Sequence, residues 1–364
     1  MTNFDDLKNA YENVKVTCKK GLMLKSAGDS ILNLVILSMK FLEKESDFIE
    51  LVSLVPGKEY NSYKRNEVVT RPANRSFYTR DIEKVISLWR KWEKDSIKQE
   101  EFSAITYTIA LAPCLALELL NRQNKKGPAT YFECLIGHIF AKTFGVEPTK
   151  GISFSINGRN VRMTMDFLFK LGNGKTNIHL PVKMSTRERV VQAWSHQRLL
   201  DAYGKGIYKG VMVLFSETKM DSKKLDVVEI CVPDQWLIYQ KLLARLDKIY
   251  YFDVPERHQV LTNEFPEIIE IKQFGEFLFE FYLKIHELDC WKFFILVNAD
   301  NQKSLKFVSS MLFQQFHSYT NNYGNTIIRF EFDATFFKDY CVNRMRFERF
   351  NREVPLEFKN GFED

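Results

Sequence analysis

The stretch Met165–Gln197, MDFLFKLGNGKTNIHLPVKMSTRERVVQAWSHQ, decides how this chain is read. Just before and into it, Val161, Met163, Met165, Phe167 and Phe169 alternate with Asn160, Arg162, Thr164 and Asp166. A period of two predicts a strand over 159–169 with Asp166 on its polar face. Gly172-Asn173-Gly174 predicts a turn into a second apolar strand, 176–183, in which Asn177, His179, Pro181 and Lys183 share one face. A helix over 188–203 follows. One acid late in a strand therefore precedes one lysine at the end of the next.

Working outward, Asn157-Gly158 is a strong hairpin signal joining strands at 152–157 and 159–169. Before it, a helix over 129–144 carries Glu133, set off by the break at Asn124–Pro128. Downstream, Gly210–Phe215 and Val227–Val232 read as buried strands, and Pro233 opens a helix over 234–246. The order helix, three strands, helix, strand predicts an α/β core: a mixed central sheet flanked by helices. Residues 1–125 read as mainly helical, with helices over 31–42, 80–98 and 102–120. Ser30 or Asp29 is the expected cap of the first. Residues 56–77, polar, basic and aromatic, read as a long loop. Residues 257–364 read as an α/β addition, with helices over 274–288 and 303–315 and strands over 291–297 and 326–332. The expected regions are thus 1–125, a core over 126–256, and 257–364, the last for dimerisation or DNA contact.

Composition narrows the class. With 364 residues, 45% hydrophobic and 27% charged, the chain is globular and not disordered. Its six cysteines (18, 114, 134, 231, 290, 341) include no C-x-x-C pair, which argues against zinc and for free thiols in a reducing cytosol. The acidic, polar start MTNFDDLKNAYENV predicts no signal peptide and a cytoplasmic location. The apolar run Ile105–Leu120 holds Thr106, Thr108, Pro113 and Glu118, so it reads as a buried helix and not a membrane span. Net charge is +6, but fourteen Lys/Arg face only five acids between Lys150 and Lys224, a local +9 that would draw a polyanion. The six histidines are scattered and form no ligand pattern; His179 reads as a residue that packs or hydrogen-bonds and not as a metal ligand, and Trp194, Trp236 and Tyr239 read as core.

Phosphodiester hydrolysis needs a metal at a non-bridging oxygen, a water held in line and an activating group beside it. A helix acid (Glu133), a strand acid (Asp166) and a strand-end lysine (Lys183) supply such parts in that order. Four residues past the lysine comes Arg187-Glu188-Arg189. Arginine pairs with guanine O6 and N7, and glutamate accepts from cytosine N4.

Over about residues 128–232 this arrangement resembles the PD-(D/E)XK nuclease superfamily, and in particular type II restriction endonucleases that cut CCGG-like sites. The resemblance implies Mg²⁺ bound by Asp166 and the Val182 carbonyl, with Glu133 and Gln197 completing the shell. It implies that Lys183 orients or deprotonates the attacking water, and that Arg187, Glu188 and Arg189 read G·C pairs. It further implies double-stranded DNA as substrate, a homodimer on a palindrome, and a cognate methyltransferase as genetic partner. The sequence departs from the pattern at two places. Pro181 stands where an acid often precedes the lysine by two, and His196 and Gln197 stand where the CCGG-type subgroup carries a glutamate. A DNA-binding protein on this fold that does not cut, a structure-specific repair nuclease, and a globular interaction protein with a basic face that binds DNA only weakly and without specificity are the other readings.

Overall fold

The computed structural model describes residues 4–94, 97–121, 126–172, 176–185, 190–204, 206–221 and 223–277, together with the backbone of 295–298, 314–320 and 326–331. The chain divides into two compact units, 1–282 and 283–364.

The first unit begins with α1 (Phe4–Lys20) and α2 (Lys25–Glu45). Leu7, Tyr11, Val14 and Cys18 make one buried stripe on α1, and Ile31, Leu34, Val35 and Leu42 line α2. Ser30 does not cap α2. The helix starts five residues earlier, and the Ser30 hydroxyl is buried within it, donating to the Ala27 carbonyl at 2.8 Å.

The expected loop at 56–77 is a small sheet instead. Its strands are β1 (Asp47–Glu50), β3 (Tyr60–Arg65), β4 (Val68–Val69) and β5 (Ala73–Asn74), while β2 (Val52–Ser53) lies outside it. Polarity misled the reading because the buried polar groups here bond to each other. The Ser62 hydroxyl donates to the Thr70 carbonyl at 2.8 Å, and the Asn74 amide N–H donates to the Tyr107 hydroxyl at 2.8 Å.

Next come α3 (Ile82–Glu93), capped by Asp81 accepting from the Lys84 N–H, then α4 (Gln99–Leu120) and α5 (Lys126–Phe144). Among the described residues Glu100–Leu120 is the one helical segment long and apolar enough to cross a membrane, and most of it is buried in the fold. Its one late acid, Glu118, is paired: Arg71 donates from Nε to Oε1 at 2.7 Å.

The main sheet is built from β6 (Thr149–Ile156), β7 (Arg159–Phe169), β8 (Asn177–Leu180), β9 (Val182–Lys183), β10 (Tyr208–Leu214), β13 (Leu246–Tyr251) and β14 (Ile271–Gln273). Its order is β14-β13-β10-β8-β7-β6, with β9 continuing along β10. The first four positions are mutually parallel, and β7 and β6 each run antiparallel to their neighbour. This is the expected mixed sheet flanked by helices. The helix α6 (Val191–Tyr203) makes the crossover to β10, and α8 (Glu256–Glu264) the crossover to β14. Both faces are covered, which is why Gly210–Phe215 reads as a continuous apolar run. On one side Phe132 of α5 meets Phe215 and Phe252 at 5.9 and 5.4 Å. On the other, Trp194 of α6 meets Trp236 at 5.2 Å, over Met212 and Leu214.

Two expectations shift. The strand β12 (Asp226–Glu229) pairs with β11 (Thr218–Met220) and β2 in a separate sheet and not in the core. The helix expected over 234–246 is α7 (Pro233–Ile238) plus one wide turn over Tyr239–Leu243, and the chain then enters β13. Buried Gln240 makes the change. It accepts from Trp194 Nε1 at 2.9 Å and from the Leu246 N–H at 3.1 Å, and donates to the Leu246 carbonyl at 2.7 Å.

In the second unit, β15 (Ile295–Asn298), β16 (Gln314–Thr320) and β17 (Thr326–Glu331) form an antiparallel sheet in the order β15-β17-β16. Of the strands expected over 291–297 and 326–332, the described parts are β15 and β17; residues 291–294 and 332 lie outside the described residues. The final residues of the helix expected over 303–315 are the start of β16, and its remainder lies outside the described residues.

Candidate active site at a fork in the sheet

The strands β7 and β8 pair through Phe167↔Leu180, Leu168↔His179 and Phe169↔Ile178. Continuing that register would set Val182 against Met165. The rung is not made: the Val182 N–H donates to Asp166 Oδ2 at 2.9 Å. From there β9 runs only with β10, whose Val213 and Phe215 amides donate to the Pro181 and Lys183 carbonyls at 2.9 and 3.1 Å. The Val182 carbonyl lies on the opposite strand edge, toward the fork that opens between β7 and β9.

On its other edge β7 is bulged. Thr149 pairs with Leu168 but Gly151 with Thr164, so Met165, Asp166 and Phe167 stand opposite Lys150 alone. Bulges re-aim side chains in this way. Past the bulge the alternation ends: Phe167, Leu168 and Phe169 are all buried, whereas Asp166 keeps 23% of its side-chain surface exposed. Lys183 Nζ donates to Asp166 Oδ2 at 2.7 Å.

Glu133 reaches this point from α5. One turn on, Gly137 lets the helix lie close to β7: a Cβ there would come within 2.7 Å of Phe167 Cζ. Burial pushes the Glu133 carboxyl above its ordinary range, and the Asp166 charge pushes it further, with Lys150 and Lys183 opposing. Lys150 also sits over the Phe167 ring, 4.8 Å from its centroid. It is a member of this site that sequence spacing missed, since only the bulge brings it opposite Asp166.

Gln197 was expected in the metal shell. The structure instead buries its amide and engages both ends. Its carbonyl accepts from His179 Nδ1 at 3.1 Å, and its Nε2 donates to Asp201 Oδ1 and the Tyr208 carbonyl, each at 2.9 Å. Gly210 makes room for this, because a Cβ there would stand 2.7 Å from Gln197 Oε1. Burial pulls the neighbouring His196 below the usual imidazole range, with Asp166 opposing and Lys183 reinforcing the shift. Burial lowers His179 to about 4, so it is neutral and packed, as its sequence context suggested. Arg187-Glu188-Arg189 lies outside the described residues.

Among the described residues no three His, Cys, Asp or Glu side chains cluster as a metal site. Asp166 and Glu133, with the Val182 carbonyl, offer hard oxygen donors. Mg²⁺ is commonly held by one or two carboxylates, with water and substrate phosphate completing its shell. A cation there would also offset the repulsion that raises the Glu133 carboxyl.

No family model matches the chain, and no curated protein matches its sequence. Two solved structures are similar. Restriction endonuclease PspGI with substrate DNA gives a TM-score of 0.36 at 13% identity, over 56% of this chain and 93% of that one. The type IIP restriction endonuclease Kpn2I gives a TM-score of 0.65 at 24% identity, over 77% of this chain and 98% of that one. With its mixed sheet and flanking helices, the chain has the fold of the Kpn2I structure.

Proposed function

We propose that this chain is a Mg²⁺-dependent, site-specific double-stranded DNA endonuclease of the type II restriction class, acting on a short G·C-containing palindrome. The observation that carries the reading is the fork itself: Asp166, Lys183 and the Val182 backbone meet there, with Glu133 facing them, on a fold shared with Kpn2I. Asp166, Glu133 and the Val182 carbonyl would hold the metal, which when bound stabilises charge on the scissile phosphate. Lys183, resting on Asp166 until DNA arrives, orients the attacking water and donates to the phosphate. Gln197 acts from one layer behind, fixing His179 and the end of α6. Arg187, Glu188 and Arg189 read G·C pairs in the major groove. A homodimer matches a palindrome, with residues 1–125 and 257–364 supplying dimer contacts or further readout. A cognate methyltransferase and a cytoplasmic setting belong to the same reading.

Digestion of a long unmethylated DNA with Mg²⁺, beside an EDTA control and Lys183→Ala, tests this. Discrete fragments whose ends share one palindrome are expected. A smear independent of sequence would move the reading to a structure-specific repair nuclease. One observation favours a binder that does not cut: the Gln197 amide is committed elsewhere and no carboxylate replaces it on α6 near Lys183. Specific binding without cleavage would establish that alternative.

A further inference from the structure

The antiparallel ribbon over 151–164 is joined at its tip by Asn157 and Gly158, both with positive φ, 50° and 77°. Below Met165 its two strands pair only with each other, because β6 ends the sheet and β7 meets β8 only from Phe167. The free length is about 20 Å at roughly 3.3 Å per residue.

Its two faces differ sharply. Ile152, Phe154, Val161 and Met163 share one face. There Phe154 meets Tyr203 at 5.3 Å, and Ile152 and Met163 pack against the Met165, Leu168, Leu200 and Tyr208 cluster. That face anchors the ribbon on α6. The other face carries Ser153 opposite Arg162 and Ser155 opposite Asn160, with Thr164 beyond, all exposed. From Thr149 to Met165 the chain has Lys150, Arg159 and Arg162 and no acid. Neither arginine forms an ion pair with a described carboxylate. A solvated strand face commonly mixes both signs of charge; this one offers hydroxyls, an amide and a guanidinium to one kind of partner.

We propose that this polar face is a second DNA-contacting surface, a ribbon laid against the duplex and continuous with the strand that carries Asp166. The inference rests on the nuclease reading above. Two-stranded ribbons fit the major groove, Arg and Asn are its common readers, and Ser and Thr donate to phosphates. The occupant is double-stranded DNA, because the face sets the Arg162 guanidinium among hydroxyls and an amide with no acid beside them, and starts at the fork.

The test is binding of a labelled short duplex by the full chain across a salt series, with Ca²⁺ in place of Mg²⁺ to hold back cleavage. The comparison is wild type with Arg162→Ala, Asn160→Asp and, as an exposed cation off the ribbon on the wide turn after α7, Lys241→Ala. Circular dichroism melts confirm that each variant folds. Arg162→Ala should weaken binding roughly tenfold and reduce the salt slope by about one, with Asn160→Asp losing at least as much and Lys241→Ala little. Equal affinity and slope in Arg162→Ala would overturn the inference and leave the nuclease reading standing. An equal loss in Lys241→Ala would also overturn it, reducing the effect to net charge. No binding by the wild type would overturn both.

Discussion

The Gln197 carbonyl oxygen stands 3.1 Å from His179 Nδ1, on the side of α6 turned toward β8 and β10. The residue at a position where the resemblance led one to expect an acid thus serves as a buried brace. Gln197→Leu should cost about 1–3 kcal/mol, since it leaves the His179 N–H and the Tyr208 carbonyl without partners. Chemical denaturation measures this; an unchanged midpoint would mean that the amide holds nothing together.

Asp166 and Lys183 are each only partly buried, so their ion pair contributes less than about 1 kcal/mol to stability. Cleavage is expected to depend on them far more. Lys183→Ala and Asp166→Asn should each lower the single-turnover rate by about 10²-fold or more while DNA binding persists. Retention of near wild-type rates by Lys183→Ala would remove it from the chemistry.

At Glu133 activity and stability should pull against each other. Its folded carboxyl titrates above its unfolded value, so its contribution to stability is present below the ordinary carboxylate range and lost as pH rises through the raised value. At neutral pH the ionised, desolvated carboxylate therefore weakens the fold. Glu133→Gln should abolish cleavage yet melt at the same or a higher temperature, with the gain vanishing in acid.

His258 is buried between Trp236 and Tyr251, its ring centroid 4.4 and 5.7 Å from theirs, and burial pushes its pKa down to about 3. The neutral ring stabilises the fold above the unfolded value of about 6.5, and this is lost by about 1.4 kcal/mol for each pH unit below it until the folded value is reached. Denaturation midpoints of His258→Phe should fall less steeply than wild type between those limits. Parallel curves would show that another group controls acid lability.

Gly137 tests positioning without touching the charged groups. An added methyl would press on Phe167 and move α5 from β7, so Gly137→Ala should cost about 1–3 kcal/mol and slow cleavage. Loss of stability with a normal rate would mean that Glu133 tolerates displacement.

Much of the core was legible because period and punctuation agree there. The 159–169 alternation, Asn157-Gly158 and the apolar run at 210–215 each predict one local structure, and each is present. What escaped depends on long-range partners. Tyr60–Arg65 looks like loop until Thr70 satisfies Ser62, and the 234–246 helix looks continuous until Gln240 bonds across to Leu246. The pairing of Asp166 with Lys183 could be anticipated from order alone, because neighbouring strand ends meet. The bulge opposite Lys150 could not, since it arises from the register between β6 and β7 and leaves no mark in composition.

The Val182 N–H bond to Asp166 has a mechanical side. By accepting the proton that the Met165 carbonyl would otherwise take, the carboxylate works as a spacer that stops two strands from zipping shut. A side chain with no acceptor at 166 would invite β7 and β9 to form one more rung and seal the gap. Asp166→Ala would then change the shape of the opening as well as its charge. Asp166→Asn, which keeps an oxygen for Val182, is the substitution that separates electrostatics from geometry.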